Sequence, residues 1–194
     1  MKPSVARESE VVQATQGWLE RAVIGLNLCP FAKAVHAKGQ IHYALCWSHD
    51  SADVLEALAA ALQDLLAQTP EQRDTTLLIL PDAFPDFWDF YGLVQRTEKL
   101  LRTLHLDGVL QIASFHPQYE FADAPAGDMA HYTNRAPYPV LHLLREDSMD
   151  RAVAAYPDAA LIYERNIARL RELGLQGWQG LQVAALPQSM VGAP

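Results

Sequence analysis

Cysteine is scarce here: Cys29 and Cys46 are the only two in 194 residues. That is too few for a disulfide framework, and reduced thiols in a cytoplasmic protein are the expectation. Basic charge is also short. Fifteen Lys and Arg stand against 23 Asp and Glu, a formal net charge of −8. No Lys/Arg cluster offers the counterion-releasing surface that nucleic acid requires. The densest basic stretch, Arg165 to Arg171, is bracketed by Glu164 and Glu172 and reads as a solvated helix face. Long apolar runs are missing too. Nothing approaches the roughly 20 residues that span a bilayer, and MKPSVARESEVV lacks the apolar core of a secretory signal. Glycine-rich phosphate loops, GxSxG, CxxC pairs and HExxH are all absent, so no nucleotide-cofactor motif is present.

What is there is ordinary globular material, half apolar and a fifth charged, enough for one domain with a real core. Helical and strand patterns alternate. A helical stripe runs from Glu8 to about Leu28, and IHYALCW (Ile41 to Trp47) reads as a strand. Asp50 or Ser51 caps a long Ala/Leu helix that stops before Pro70. TTLLILP, from Thr75, is apolar throughout and predicts a central strand covered on both faces. A helix from about Pro85 to Leu104 follows, with Phe87, Phe90, Tyr91, Val94 and Leu101 inward. Strands are expected at Val109 to Phe115 and Pro139 to Arg145, and helices after Glu146 and Asp158, the second ending at Gly174. WQGLQVAALP reads as a short strand or a packed tail. The fold class is α/β (α+β), a sheet of four or five strands packed with helices, for which a ferredoxin-like arrangement is one candidate. Residues 11–186 form the domain, with 1–10 and 187–194 expected to fray.

Candidate chemistry gathers around a loop of about 20 residues, Pro117 to Pro137, which is long enough to suggest function. Each bracketing strand carries a histidine. If the strands pair antiparallel, His116 and His142 can share a face and act as acid/base groups or ligands of a divalent metal. The alternative is that each bonds backbone, and their spacing matches no short zinc pattern. Arg135 and Asn134, held by Pro137 and Pro139, suit a carboxylate or phosphate. Arg135 can equally pin the loop by pairing with Asp123, Asp128 or Glu120. Tyr119, Tyr132 and Asp128 complete the candidate substrate-binding set. In GLNLCPFAKAV, Pro30 at a helix start makes Cys29 the N-cap, where the dipole and Lys33 favour thiolate. Cys29 is therefore a candidate nucleophile or third ligand, although a buried thiol beside Leu28 and Phe31 is the competing reading. Cys46 reads as a small strand hydrophobe. Asp82, past the central strand, lies where α/β sites gather or caps the next helix.

The segments GLNLCPFAK, DFWDFYGLVQ, LDGVLQIASFHPQYEF and YTNRAPYPVLHLLRE together resemble a family of uncharacterised bacterial proteins catalogued as a domain of unknown function. The resemblance spans about Val11 to Leu186. It implies no activity, but it singles out Cys29, Pro30, His116, Pro117, Tyr119, Asp128, Tyr132, Asn134, Arg135, Pro137, Pro139, His142, Arg145 and Glu146. Two positions depart from the family pattern. His131 stands where the family has Asn, and Ala136 where it usually has Ser, which removes both as site candidates.

Three functions follow. The leading one is a cytoplasmic hydrolase or transferase acting on a small anionic molecule at the His/Arg/Asn site, with a divalent metal as a candidate cofactor. The second is a non-catalytic small-molecule, metal or protein-binding module using the aromatic loop around Tyr119, Phe121, Tyr132 and Tyr138. The third makes that loop purely architectural.

Overall fold

The computed structural model describes residues 3–156 and 158–184. The expected tail 187–194 lies outside them. The first helix, α1 (Val5–Trp18), starts where Ser4 accepts a bond from the Arg7 N–H. Residues 5–10, expected to fray, are thus helical. The stripe that reads as one long helix is in fact two windings. After Trp18 the chain widens into a π-turn, Leu19–Ile24, and the short α2 (Ala32–Ala37) follows.

Gly25 closes the π-turn. A Cβ there would collide with the Arg21 carbonyl oxygen, a backbone atom that cannot swing away. Gly25→Ala is expected to cost about 1–3 kcal/mol, the usual range for overpacking. Thermal denaturation checks this, and an unchanged midpoint would show that the turn relaxes freely.

The sheet contains β1 (Ile41–Leu45), β2 (Thr75–Ile79), β3 (Leu110–Phe115) and β4 (Val140–Arg145), in the order β1-β2-β4-β3. β1 and β2 are parallel, and β4 runs antiparallel between β2 and β3. The β2-β4-β3 part is a split βαβ unit like half of a ferredoxin-like fold. The fourth strand departs from that arrangement: β1 comes first and lies parallel to β2. Every residue of β2 is buried, as its continuous apolar sequence predicts.

One face is sealed by α3 (Ser51–Ala67) and α4 (Phe87–Thr103). Val54, Leu58, Leu62 and Leu65 meet Phe90, Leu93, Leu141 and Leu143 there. Asp50 caps α3 through the Ala52 and Asp53 N–H groups. Asp86, rather than Asp82, caps α4. Asp82 pairs with Arg7. Tyr91 faces solvent, at 45% exposure, against its expected inward place, and its neighbour Trp88 is 59% exposed. Cys46 is buried, as expected.

The other face is only partly covered. Val11 of α1 packs on Leu77, Ile79 and Val140, and Trp18 meets Phe115 edge-on at 5.2 Å. α5 (Glu146–Ala154) and α6 (Ile162–Gly180) complete the fold. α6 breaks at Gly174, φ 66°, the position where the sequence predicts its end. Trp178 therefore lies in the helix, and Val183 behind it is buried as a packed tail.

Candidate functional site

The strand register decides which candidates meet. Across the partly covered face, Leu77, His142 and Ala113 lie side by side. Directly paired residues share a face, so His142 belongs with Ala113 and Phe115. His116, one residue past Phe115, points to the other side. The two histidines therefore do not share a face, contrary to the expectation from alternation alone.

His116 is fully buried and stacked on Phe90, with ring centroids 5.2 Å apart. Its Nδ1 accepts the Gln118 N–H at 3.0 Å, which fixes the proton on Nε2. That N–H donates to the Phe84 carbonyl at 2.9 Å, and Phe84 sits at φ 54°, uncommon for a bulky residue. Both ring nitrogens are thus occupied by backbone, and burial pushes the imidazole pKa down. His131 does the same inside the long loop, bonding the Phe121 N–H and the Pro125 carbonyl.

The remaining loop candidates also bond internally. Asn134 donates its side-chain amide to the Ser114 carbonyl, and its own carbonyl accepts the His116 N–H. Arg135 lies 4.1 Å over the Tyr132 ring, reaches the Tyr119 carbonyl, and offers its own carbonyl to the Trp18 indole. No carboxylate among the described residues pairs with it. Asp128 instead caps the 3₁₀ turn Met129–Asn134 and accepts from Nε and Nη2 of Arg171, which hold its carboxyl down at about 2. Tyr119 packs on Phe87 and Tyr132 on Trp178. Arg145 donates to the Leu65 and Gln68 carbonyls, closing the C-terminal end of α3. Asn134 and Arg145 thus act as staples between loop, strand and helix, while Arg135 makes one side-chain hydrogen bond, from Nε at 3.5 Å.

A different site takes its place. Between the open half of the sheet face and the segment 18–35 on one side, α5 on the other, lies a cavity of about 690 Å³, within the usual range for small-molecule pockets. Its walls are mainly apolar, including Trp18, Phe31, Leu144 and Met149. Charged Lys38, Glu71, Asp74, Arg145 and Arg151 line it as well; Lys38, Glu71 and Arg151 are exposed to solvent, and Asp74 and Arg145 are half-buried. Two of the three sequence candidates for catalysis, Cys29 and His142, line this cavity together, and Thr75 joins them. Thr75 was not legible as a site residue, because it opens an apolar strand. Its place on the His142 face follows from the strand register, which the sequence does not show.

The Thr75 hydroxyl donates to the Leu143 carbonyl at 2.5 Å, which uses its single proton. The contact of 2.7 Å between Thr75 Oγ1 and His142 Nε2 must then be donated by the imidazole. Burial pushes the His142 pKa down to about 4, so the ring is neutral near pH 7. Cys29 is half-buried, and the segment holding it is anchored by Asn166, which donates to the Leu28 carbonyl at 2.8 Å. Burial raises the thiol pKa, and the nearby backbone N–H groups of Phe31 and Ala32 work the other way. The expected thiolate is thus overruled by desolvation. Among the described residues no three His, Cys, Asp or Glu side chains are grouped to hold a metal. His116, His142 and Cys29 do not converge as ligands. No helix of the described residues is long and apolar enough to cross a membrane.

The apolar cavity with a neutral thiol and imidazole belongs to a chain whose residues 10–180 match a protein family described as of unknown function (DUF1415). The chain is a member of that family. Searches of curated proteins and of solved structures give no match.

Proposed function

We propose that this protein binds a small organic molecule with an apolar body in the cavity between the sheet, α2 and α5. One observation carries this reading: a cavity of about 690 Å³ reaches the central strands, and the polar side chains on its floor are His142, Thr75 and Cys29. An anionic ligand at the loop, as expected from the sequence, is the weaker reading, because the Asn134 amide donates to the Ser114 carbonyl and the Arg135 guanidinium lies over the Tyr132 ring. A cytoplasmic setting is supported by two free thiols.

Nile red, an uncharged dye that brightens in apolar surroundings, tests the site. Wild-type protein is expected to enhance its emission, and Ala113→Trp, which fills the floor beside His142, should abolish most of the gain. Ala152→Trp on the α5 wall serves as a second block if the first variant does not fold. Full dye binding by a folded blocked variant would sink the assignment.

An enzymatic role is the second reading, and a specific observation favours it. The Phe31 and Ala32 N–H groups near Cys29 Sγ would stabilise charge developing there, in a cavity that an imidazole also lines.

A further inference from the structure

The floor of the cavity has a hydrogen-bonding polarity of its own. The chain of donation runs one way, from His142 Nε2–H to the Thr75 hydroxyl and from that hydroxyl to the Leu143 carbonyl. An imidazole with its proton on Nε2 presents Nδ1 as a lone-pair acceptor. Among the described residues nothing bonds His142 Nδ1, whereas both ring nitrogens of His116 and of His131 are matched. Thr75 Oγ1, having received one bond and given its proton, likewise keeps only acceptor capacity. The one donor on the floor is the weak S–H of Cys29.

Building on the cavity assignment above, we infer that the ligand carries an uncharged O–H or N–H group, donated to His142 Nδ1, on an apolar body such as an aromatic ring. A carboxylate is disfavoured at that spot, because it would set acceptor against acceptor. Of the three cations that line the cavity, Lys38 and Arg151 are exposed, and the half-buried Arg145 already holds the α3 carbonyls. A phenol is the simplest molecule of the inferred class.

The test compares three probes of one shape on the intact protein by calorimetry: 4-butylphenol, 4-butylanisole and 4-butylbenzoate. The methyl ether keeps the ring, the butyl chain and the oxygen but carries a methyl group in place of the proton that can be donated. It is expected to bind roughly three- to tenfold tighter than the ether, the ratio one net hydrogen bond provides, and tighter than the benzoate. The nitrogen-15 resonance of His142 Nδ1 should move with phenol and stay still with the ether, a readout that needs no variant. His142→Phe should bring the phenol down to the ether. Equal binding of phenol and ether, or a preference for the benzoate, overturns the donor class while leaving the cavity in place. Failure of all three together with nile red overturns both readings.

Discussion

His116→Ala is expected to be the most damaging single substitution proposed for this protein, lowering stability by about 3–5 kcal/mol. The imidazole is fully buried, stacked on Phe90 and close to Phe87. Truncation leaves a void of aromatic size and strands two backbone groups, the Gln118 N–H and the Phe84 carbonyl. Large-to-small changes in cores cost about 2–5 kcal/mol, and orphaning a buried polar group adds about 1–3 kcal/mol, partly relieved where water can reach. The Phe84 carbonyl belongs to a residue at φ 54°, so the loop leading into α4 loses the bond that holds its least comfortable residue. At about 2–4 °C per kcal/mol for a chain of this size, the melting midpoint should fall by roughly 6–20 °C. A variant that melts with wild type yet loses ligand binding would return His116 to the functional site.

Acid should destabilise the protein with a signature traceable to His142. An unfolded imidazole protonates near 6.5, whereas the folded one waits until about 4. Between those values the unfolded state binds more protons, so stability rises with pH and is lost as pH falls from 6.5 towards 4. At about 1.4 kcal/mol per pH unit, His142 alone accounts for up to about 3 kcal/mol across that interval. His116 and His42, both shifted downward by burial, act in the same direction. Asp128, held at about 2 by Arg171, contributes only at lower pH. Urea denaturation at pH 7, 6, 5 and 4 gives the slope. His142→Leu should flatten it without abolishing it, and an unchanged slope would mean that the ring is already protonated in the folded state.

Much of the fold was legible from periodicity. The all-apolar run at Thr75 could only be a strand covered on both faces, and the Leu spacing of α3 has one buried stripe. The antiparallel partnership of β3 and β4 was readable from their shared connection. Their register was not, because a slip of one residue exchanges the faces and about 20 residues separate the strands. That one step carried His116 out of the site and into the core. The π-turn was illegible for a related reason: an apolar stripe from Val12 to Leu26 fits an uninterrupted helix as well as one with an inserted residue. Cys29 and His142 were found one at a time by their chemistry, while the cavity that joins them depends on where α5 and α2 settle. The backbone bond of Asn134 was not legible, because a side chain presented to a ligand and one bonded to backbone look alike in sequence. The prolines that follow it hold the strand entry in place, where the Pro139 carbonyl accepts the Leu80 N–H.

The strand order also bears on how the chain is made. β4 is the last strand synthesised, yet it lies between β2 and β3. A nascent chain that has left the ribosome as far as residue 139 carries two apolar strands with bare inner edges and no partner for either. Unpaired edges of that kind invite pairing with other chains. The exposure follows from the order of the strands along the chain. Slower translation between the codons for Phe115 and Val140 would lengthen it, and holdase chaperones that bind extended apolar segments are the natural remedy.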